Sequence, residues 1–120
     1  MMEPIDMAEK ILDMNSMLEK MRAEIKNRSV KKANTISEYD KSLALTIIKL
    51  RNGVEVPFEG EVVKDPPVTI LEKIAKGICW KERLEMETHD AEYKSLITNI
   101  ETLKAQLNGL QSVNRHLDQA

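Results

Sequence analysis

Apolar side chains recur at alternating steps of three and four near both ends of this chain. Near the start they are Ile11, Met14, Leu18, Met21 and Ile25; near the end they are Leu96, Ile100, Leu103, Leu107, Leu110 and Leu117, with Asn114 completing the spacing. That period lays each set along one stripe of an α-helix. The second set keeps the strict heptad of a coiled coil, with one polar residue at a seam position. The first stripe halts at Arg28 and Lys32 and resumes with Ile36, Tyr39 or Asp40, Leu43, Ile47 and Leu50. The eleven-residue step from Ile25 to Ile36 can be absorbed as a stutter in a long helix. Thr35 and Glu38 also make a capping-box pair, which would end one helix and start another. The first arm, 5–52, is therefore one bent helix or two helices with a break near 33–35, and the continuous form is adopted.

Gly and Pro are absent from residues 5–52, and the second arm, 69–118, holds only Gly77 and Gly109, which would permit close helix contact. Asn52-Gly53 reads as a helix stop. The stretch 53–68 alternates Val and Glu around Glu59-Gly60 and contains Pro57, Pro66 and Pro67. It reads as an extended loop with limited β character, a brief hairpin at Glu59-Gly60 included. Thr69 with Glu72 is a second capping box, predicted to open the second arm.

Folding the two arms back antiparallel tests this reading. With Asn52 opposite Thr69, Met14 meets Leu107, Leu18 meets Leu103, Met21 meets Ile100 and Ile25 meets Leu96. Beyond the interruption, Leu43 meets Ile78 and Leu50 meets Leu71. The expected fold is all-α: a single helical domain over 1–120, built as a long antiparallel hairpin. Leu12, Met17, Leu45, Ile48, Ile97 and Val113 fall outside the stripe and widen the apolar face. Two helices alone cannot bury them, so a homo-oligomeric helical bundle is expected, with a different partner for those residues as the alternative. Leu96, Ile100, Leu103, Leu107, Leu110, Asn114 and Leu117 are the expected oligomer seam.

Composition agrees with this plan. The chain has 120 residues, only 3% of them aromatic, so its buried area must come from aliphatic stripes. Charged residues make up 32%, closely mixed in sign, and the net charge of -2 argues against a dedicated nucleic-acid binder without excluding a local patch. The lone Cys79 fits a reducing compartment, and no stretch is apolar and long enough to span a membrane. The cytoplasm is the expected location, that of the host if a phage encodes the chain.

Chemistry-bearing residues are few. Lys20, Arg22, Lys26, Arg28, Lys31 and Lys32 stand against Glu24 alone in 20–32, and could follow a phosphate backbone. In the hairpin register, however, Arg28 faces Glu92, and Lys31 and Lys32 face Asp90 and His89, so much of this charge can be paired across the arms. Glu82, Glu85, His89 and Glu92 share one helical side, yet they lack the Glu-x-x-His spacing of di-iron bundles and a second acidic pair. A solvated acidic face is the expectation there, with no metal, cofactor or catalytic residue assigned. Trp80 reads as a partner anchor or a filler at the base of the hairpin. Val56 and Phe58 in the loop are candidates for a partner contact.

The runs Ile74-Ala75-Lys76-Gly77, Tyr93-Lys94-Ser95-Leu96 and Leu103 to Ser112 resemble small helical proteins of phage and prophage early modules, encoded beside recombination and replication functions. The overall plan is similar in size to phage recombination mediators, helical oligomers that help a recombinase load onto single-stranded DNA. The resemblance implies a non-enzymatic accessory protein that binds itself, a protein partner and single-stranded DNA. It carries over no functional residues. Two alternatives belong to other classes. One is an inhibitor of host defence, whose acidic Glu55, Glu59 and Glu61 imitate DNA charge or whose subunits sequester a nucleotide. The other is a metal-dependent helical nucleotide hydrolase acting through the Glu82–Glu92 face.

Overall fold

A computed structural model describes residues 3–119. Three helices, α1 (Pro4–Arg51), α2 (Val68–Ile78) and α3 (Trp80–Gln119), account for nearly all of it. The strands β1 (Val56–Phe58) and β2 (Glu61–Val63) lie between α1 and α2.

α1 runs unbroken through 33–35, which settles the open choice in favour of one helix. Thr35 caps nothing. It is buried, and its hydroxyl donates back to the carbonyls of Lys31 and Lys32, each at 3.0 Å. A threonine satisfied by its own helix in this way packs as a small β-branched apolar residue. The interruption also proves to be no stutter. From Met7 to Tyr39 the steps of four and three continue, with Arg28, Lys32 and Thr35 occupying the inward positions where the apolar residues stop. α1 ends as expected at Gly53, whose φ of 71° suits a residue without Cβ. Val54 N–H donates to the Lys49 carbonyl and Gly53 N–H to that of Leu50, the paired bonds of a Schellman ending.

The loop contains a true hairpin. β1 and β2 pair antiparallel, with Val56 opposite Val63, Pro57 opposite Val62 and Phe58 opposite Glu61. Glu59 and Gly60 close it with φ of 50° and 78°, the left-handed pair that matches the twist of two strands. Pro57 is tolerated because Phe58 and Glu61 form the bonded pair beside the turn. Alternation then leaves position 57 needing no N–H toward its partner. Replacing Glu59 by Asn is expected to raise stability by about 0.5–1 kcal/mol, because Asn accepts positive φ more readily than Glu. Thermal melting followed by circular dichroism checks this, and a lowered midpoint would contradict it.

Two expectations for the second arm are corrected. The helix begins at Val68, with Pro67 at its cap and no side-chain cap bond. Thr69 already lies inside the first turn, and the Pro67 carbonyl itself accepts Ile70 N–H at 3.0 Å, so the hydroxyl is not needed. The arm is also two helices rather than one, joined at Cys79. The ψ of 25° there departs from helical values, yet Cys79 N–H still reaches the Ala75 carbonyl and Arg83 N–H the Cys79 carbonyl. The joint is a one-residue bend with its backbone bonds kept. A Cβ built on Gly77 or Gly109 meets no atom within 4 Å, so neither glycine serves a close contact within this chain.

The chain packs as two compact units. One comprises residues up to Ser29 and from Glu92 onward. Its core is Met14 and Leu18 of α1 with Ile100, Leu103 and Leu107 of α3, flanked by Ile11, Met21, Ile25, Leu96 and Leu110. The other, Val30–Ala91, centres on Leu50, Leu71 and Ala75. Leu43, Ile47, Ile74, Ile78 and the inward hairpin residues Val56 and Val63 pack around them. Two cores form because polar residues occupy the inward positions between the apolar runs. The heptad set from Leu96 to Leu110 thus lies against the chain's own α1, with Asn114 half-buried. Leu117 is 41% exposed, because the pairing level set by Arg28 and Glu92 puts it beside residue 3, before α1 begins.

Candidate functional site

The six basic candidates do not form one patch. Arg28 and Lys32 occupy inward positions and are tied to α3. Arg28 donates to the Glu92 carboxylate at 2.5 Å and lies 3.9 Å from Glu24, while Lys32 Nζ reaches Asp90 at 3.0 Å. The sequence register foresaw both cross-arm pairs. Their side chains remain 30–42% exposed, so solvent screens them and each contributes at most about 1 kcal/mol. They specify register more than they stabilise, since slippage by a turn would bring the charges against apolar side chains.

Lys20, Arg22, Lys26 and Lys31 are exposed. Their spacing from the inward stripe divides them. Arg22 and Lys26, one turn apart, lie on one flank of the first unit, and Lys20 lies on the other with Asp13 and Glu24. Lys31 belongs to the second unit. α3 adds to the Arg22 flank. Lys94, Ile97, Glu101, Lys104, Asn108, Gln111 and Arg115 fall on the same side, where Ile11, Gln111, Asn114 and Arg115 line a shallow groove. Among the residues whose side chains are described, that flank carries Arg22, Lys26, Lys94, Lys104 and Arg115 against Glu19 and Glu101. The opposite flank of α3 carries no charge from Ser95 to Val113. This asymmetry is hidden in the linear sequence, because it appears only once each residue is placed relative to the inward stripe of its helix.

The proposed acidic face does not converge. Glu82 takes a half-buried inward position, Glu85 lies 3.5 Å from His89 Nε2, and Glu92 is engaged by Arg28. Among the described residues no three His, Cys, Asp or Glu side chains come together as a metal-binding group. Cys79 is buried, its sulfur 3.4 Å from the Thr46 hydroxyl, which itself donates to the Ser42 carbonyl at 2.8 Å. This thiol fills a packing position.

In the second unit the hairpin turn lies against α3. Trp80 Nε1 donates to Glu59 Oε1 at 3.3 Å, and Lys81 Nζ stands 5.6 Å from the Trp80 ring centre. Trp80 is 43% exposed and thus only partly a filler at the hairpin base. Leu84 one turn on is open as well, as is Val62 on the outward face of β2. Leu12, Met17, Leu45, Ile48 and Val113 are likewise exposed, as expected of residues outside the seam, whereas Ile97 is half-buried. Among the described residues no helix is long and apolar enough to cross a membrane.

Together these features define the class: a mostly helical chain whose notable chemistry lies on open surfaces. Comparison with family models, with curated proteins and with solved structures finds no match to this chain.

Proposed function

We propose that this chain is a non-enzymatic interaction protein of the phage accessory type, which associates with copies of itself and with a protein partner and lays one flank of its first unit on the backbone of single-stranded DNA. The observation that carries the reading is the segregation of charge on that unit. A flank whose described side chains are mostly basic attracts a polyanion even though the whole chain is slightly acidic. No aromatic residue interrupts these basic groups on α1, so binding would be electrostatic and indifferent to base identity. The protein partner would dock on the second unit at Trp80 and Leu84, a reading supported by a partly open indole beside an exposed apolar neighbour.

The test separates this flank from the tied charges. Reversing Arg22 and Lys26 to Glu is expected to weaken retention of a single-stranded oligonucleotide about tenfold or more at low salt, and to lower the salt slope by about 1.5–3. Reversing Lys31, in the other unit, should change little by comparison. Fluorescence anisotropy reads both. Equal affinity of the wild type and the double variant would remove DNA from the account.

A further inference from the structure

We propose that two copies of this chain pack face to face through the flank opposite the basic one, about a two-fold axis passing beside Met17 and residues 103–104. The inference deepens the self-association named above and rests on it.

The exposed residues of that flank form a second stripe on each helix. On α1 they are Lys10, Asp13, Met17, Lys20 and Glu24, at steps of three, four, three and four. On α3 they are Ser95, Asn99, Thr102, Gln106, Gly109 and Val113, with the same alternation. Two surface grooves show that these stripes share one flank. Lys10 lines one groove with Gln106, Gly109 and Val113, and Glu24 lines the other with Ser95 and Asn99.

The order of charge on α1 is self-complementary. From Met17 outward, Asp13 and Lys10 lie on one side, and Lys20 and Glu24 on the other. A two-fold axis at Met17, with the two α1 helices crossing antiparallel, brings Lys10 to Glu24 of the second copy and Asp13 to its Lys20. Met17 then meets Met17. Each attraction occurs twice, as an isologous interface requires. A parallel arrangement in register would instead set every charge against its own sign.

α3 agrees independently. Its uncharged stripe has its midpoint at residue 104. The Arg28–Glu92 pair fixes the level of the two helices in this unit. Stepping eleven residues from Arg28 toward the N-terminus reaches Met17, and eleven from Glu92 toward the C-terminus reaches Leu103. One axis therefore serves both helices. About it, Ser95 faces Val113 of the other copy, Asn99 faces Gly109, and Thr102 faces Gln106, without a charge left to bury. The space open beside Gly109 is where the amide of Asn99 from the second copy would enter.

The dimensions fit a second copy. The α3 stripe spans about 27 Å, and two helices side by side are about 20 Å across, so the face covers about 540 Å² per copy. That is near the lower bound for a specific interface, which fits a dimer that dissociates on dilution. The arrangement also turns both basic flanks outward, leaving them accessible to a polyanion.

Sedimentation velocity on the full chain, over a concentration series at low salt, tests the inference. The wild type is expected to dimerise. Asp13→Lys places like charges at two symmetry-related positions and is expected to raise the dissociation constant about five- to tenfold, as is Lys20→Asp. The swapped variant D13K/K20D restores opposite charges and should return close to the wild-type constant. Both positions are exposed, so these variants keep the fold, which circular dichroism verifies. A wild-type dimer indifferent to the single reversals, or one the swap fails to rescue, would overturn this interface while leaving self-association through another face. A monomer at every concentration would overturn both.

Discussion

Replacing Leu103 by Asp is expected to unfold the first unit. Leu103 is buried in the cluster with Met14, Leu18, Ile100 and Leu107, and no cationic side chain belongs to that cluster. A carboxylate there must shed its water without a partner or open the helix pair to solvent. Either route costs about 4 kcal/mol or more, the combined loss of leucine packing and burial of an unpaired charge. A two-helix unit with a core this small has little stability to give up. Helicity measured by circular dichroism should fall at room temperature, and urea unfolding should lose its first-unit transition. Unchanged helicity with an unchanged urea midpoint would mean that Leu103 faces solvent and that α1 and α3 do not pair as described.

Leu50→Ala is expected to have the next largest effect, confined to the other unit. Leu50 is 2% exposed and sits among Leu71, Ala75, Ile47 and the hairpin valines. Truncation leaves a cavity that a junction of α1, α2 and hairpin cannot readily collapse, at a cost of about 2–4 kcal/mol. Ile48, two positions earlier on the same helix, is 55% exposed, and Ile48→Ala should lie within about 0.5 kcal/mol of the wild type. Trp80 is the chain's single tryptophan and belongs to this unit, so its fluorescence reads the transition locally. Similar losses at positions 48 and 50 would contradict the placement of the α1 face against α2.

The pairing of arms was legible because it rests on large apolar residues at helical spacing. Met14 and Leu18 with Leu103 and Leu107 declare the first core, and Leu50 with Leu71 the second. Arg28 with Glu92 and Lys32 with Asp90 followed from the same register. The centre of the arms was misread. Arg28, Lys32 and Thr35 looked like an interruption because an apolar count skips residues that are inward by geometry and polar by composition. Arg and Lys can occupy such positions by burying their stems and projecting their charges to a partner helix. Thr35 imitates a cap in sequence, yet its hydroxyl finds two carbonyls of its own helix.

Other features lay outside the reach of pattern. The bend at Cys79 keeps its backbone bonds and has no breaker at the joint itself; the nearest, Gly77, lies within the last turn of α2 and does not fix the position. Thr69 and Glu72 have capping-box spacing, but the helix starts one residue earlier, at Val68 directly after the capping Pro67. The hairpin was visible as alternation around Glu59-Gly60. Its register needed the left-handed pair of residues at the turn. The two flanks of the first unit were hidden for a different reason: a residue's flank is defined only relative to the inward stripe. Once that stripe is known, Arg22 and Lys26 separate from Lys20, and the uncharged run from Ser95 to Val113 appears.

Both surfaces depend on α1 folding back on α3 within one chain. Cysteines placed at positions 14 and 107, with Cys79 replaced by Ser, test this directly. Under dilute oxidising conditions followed by mass spectrometry of proteolytic fragments, a disulfide within single chains is the expected product, because Met14 and Leu107 share one buried cluster. Disulfides found only between chains would show that the pairing is intermolecular and would contradict the hairpin.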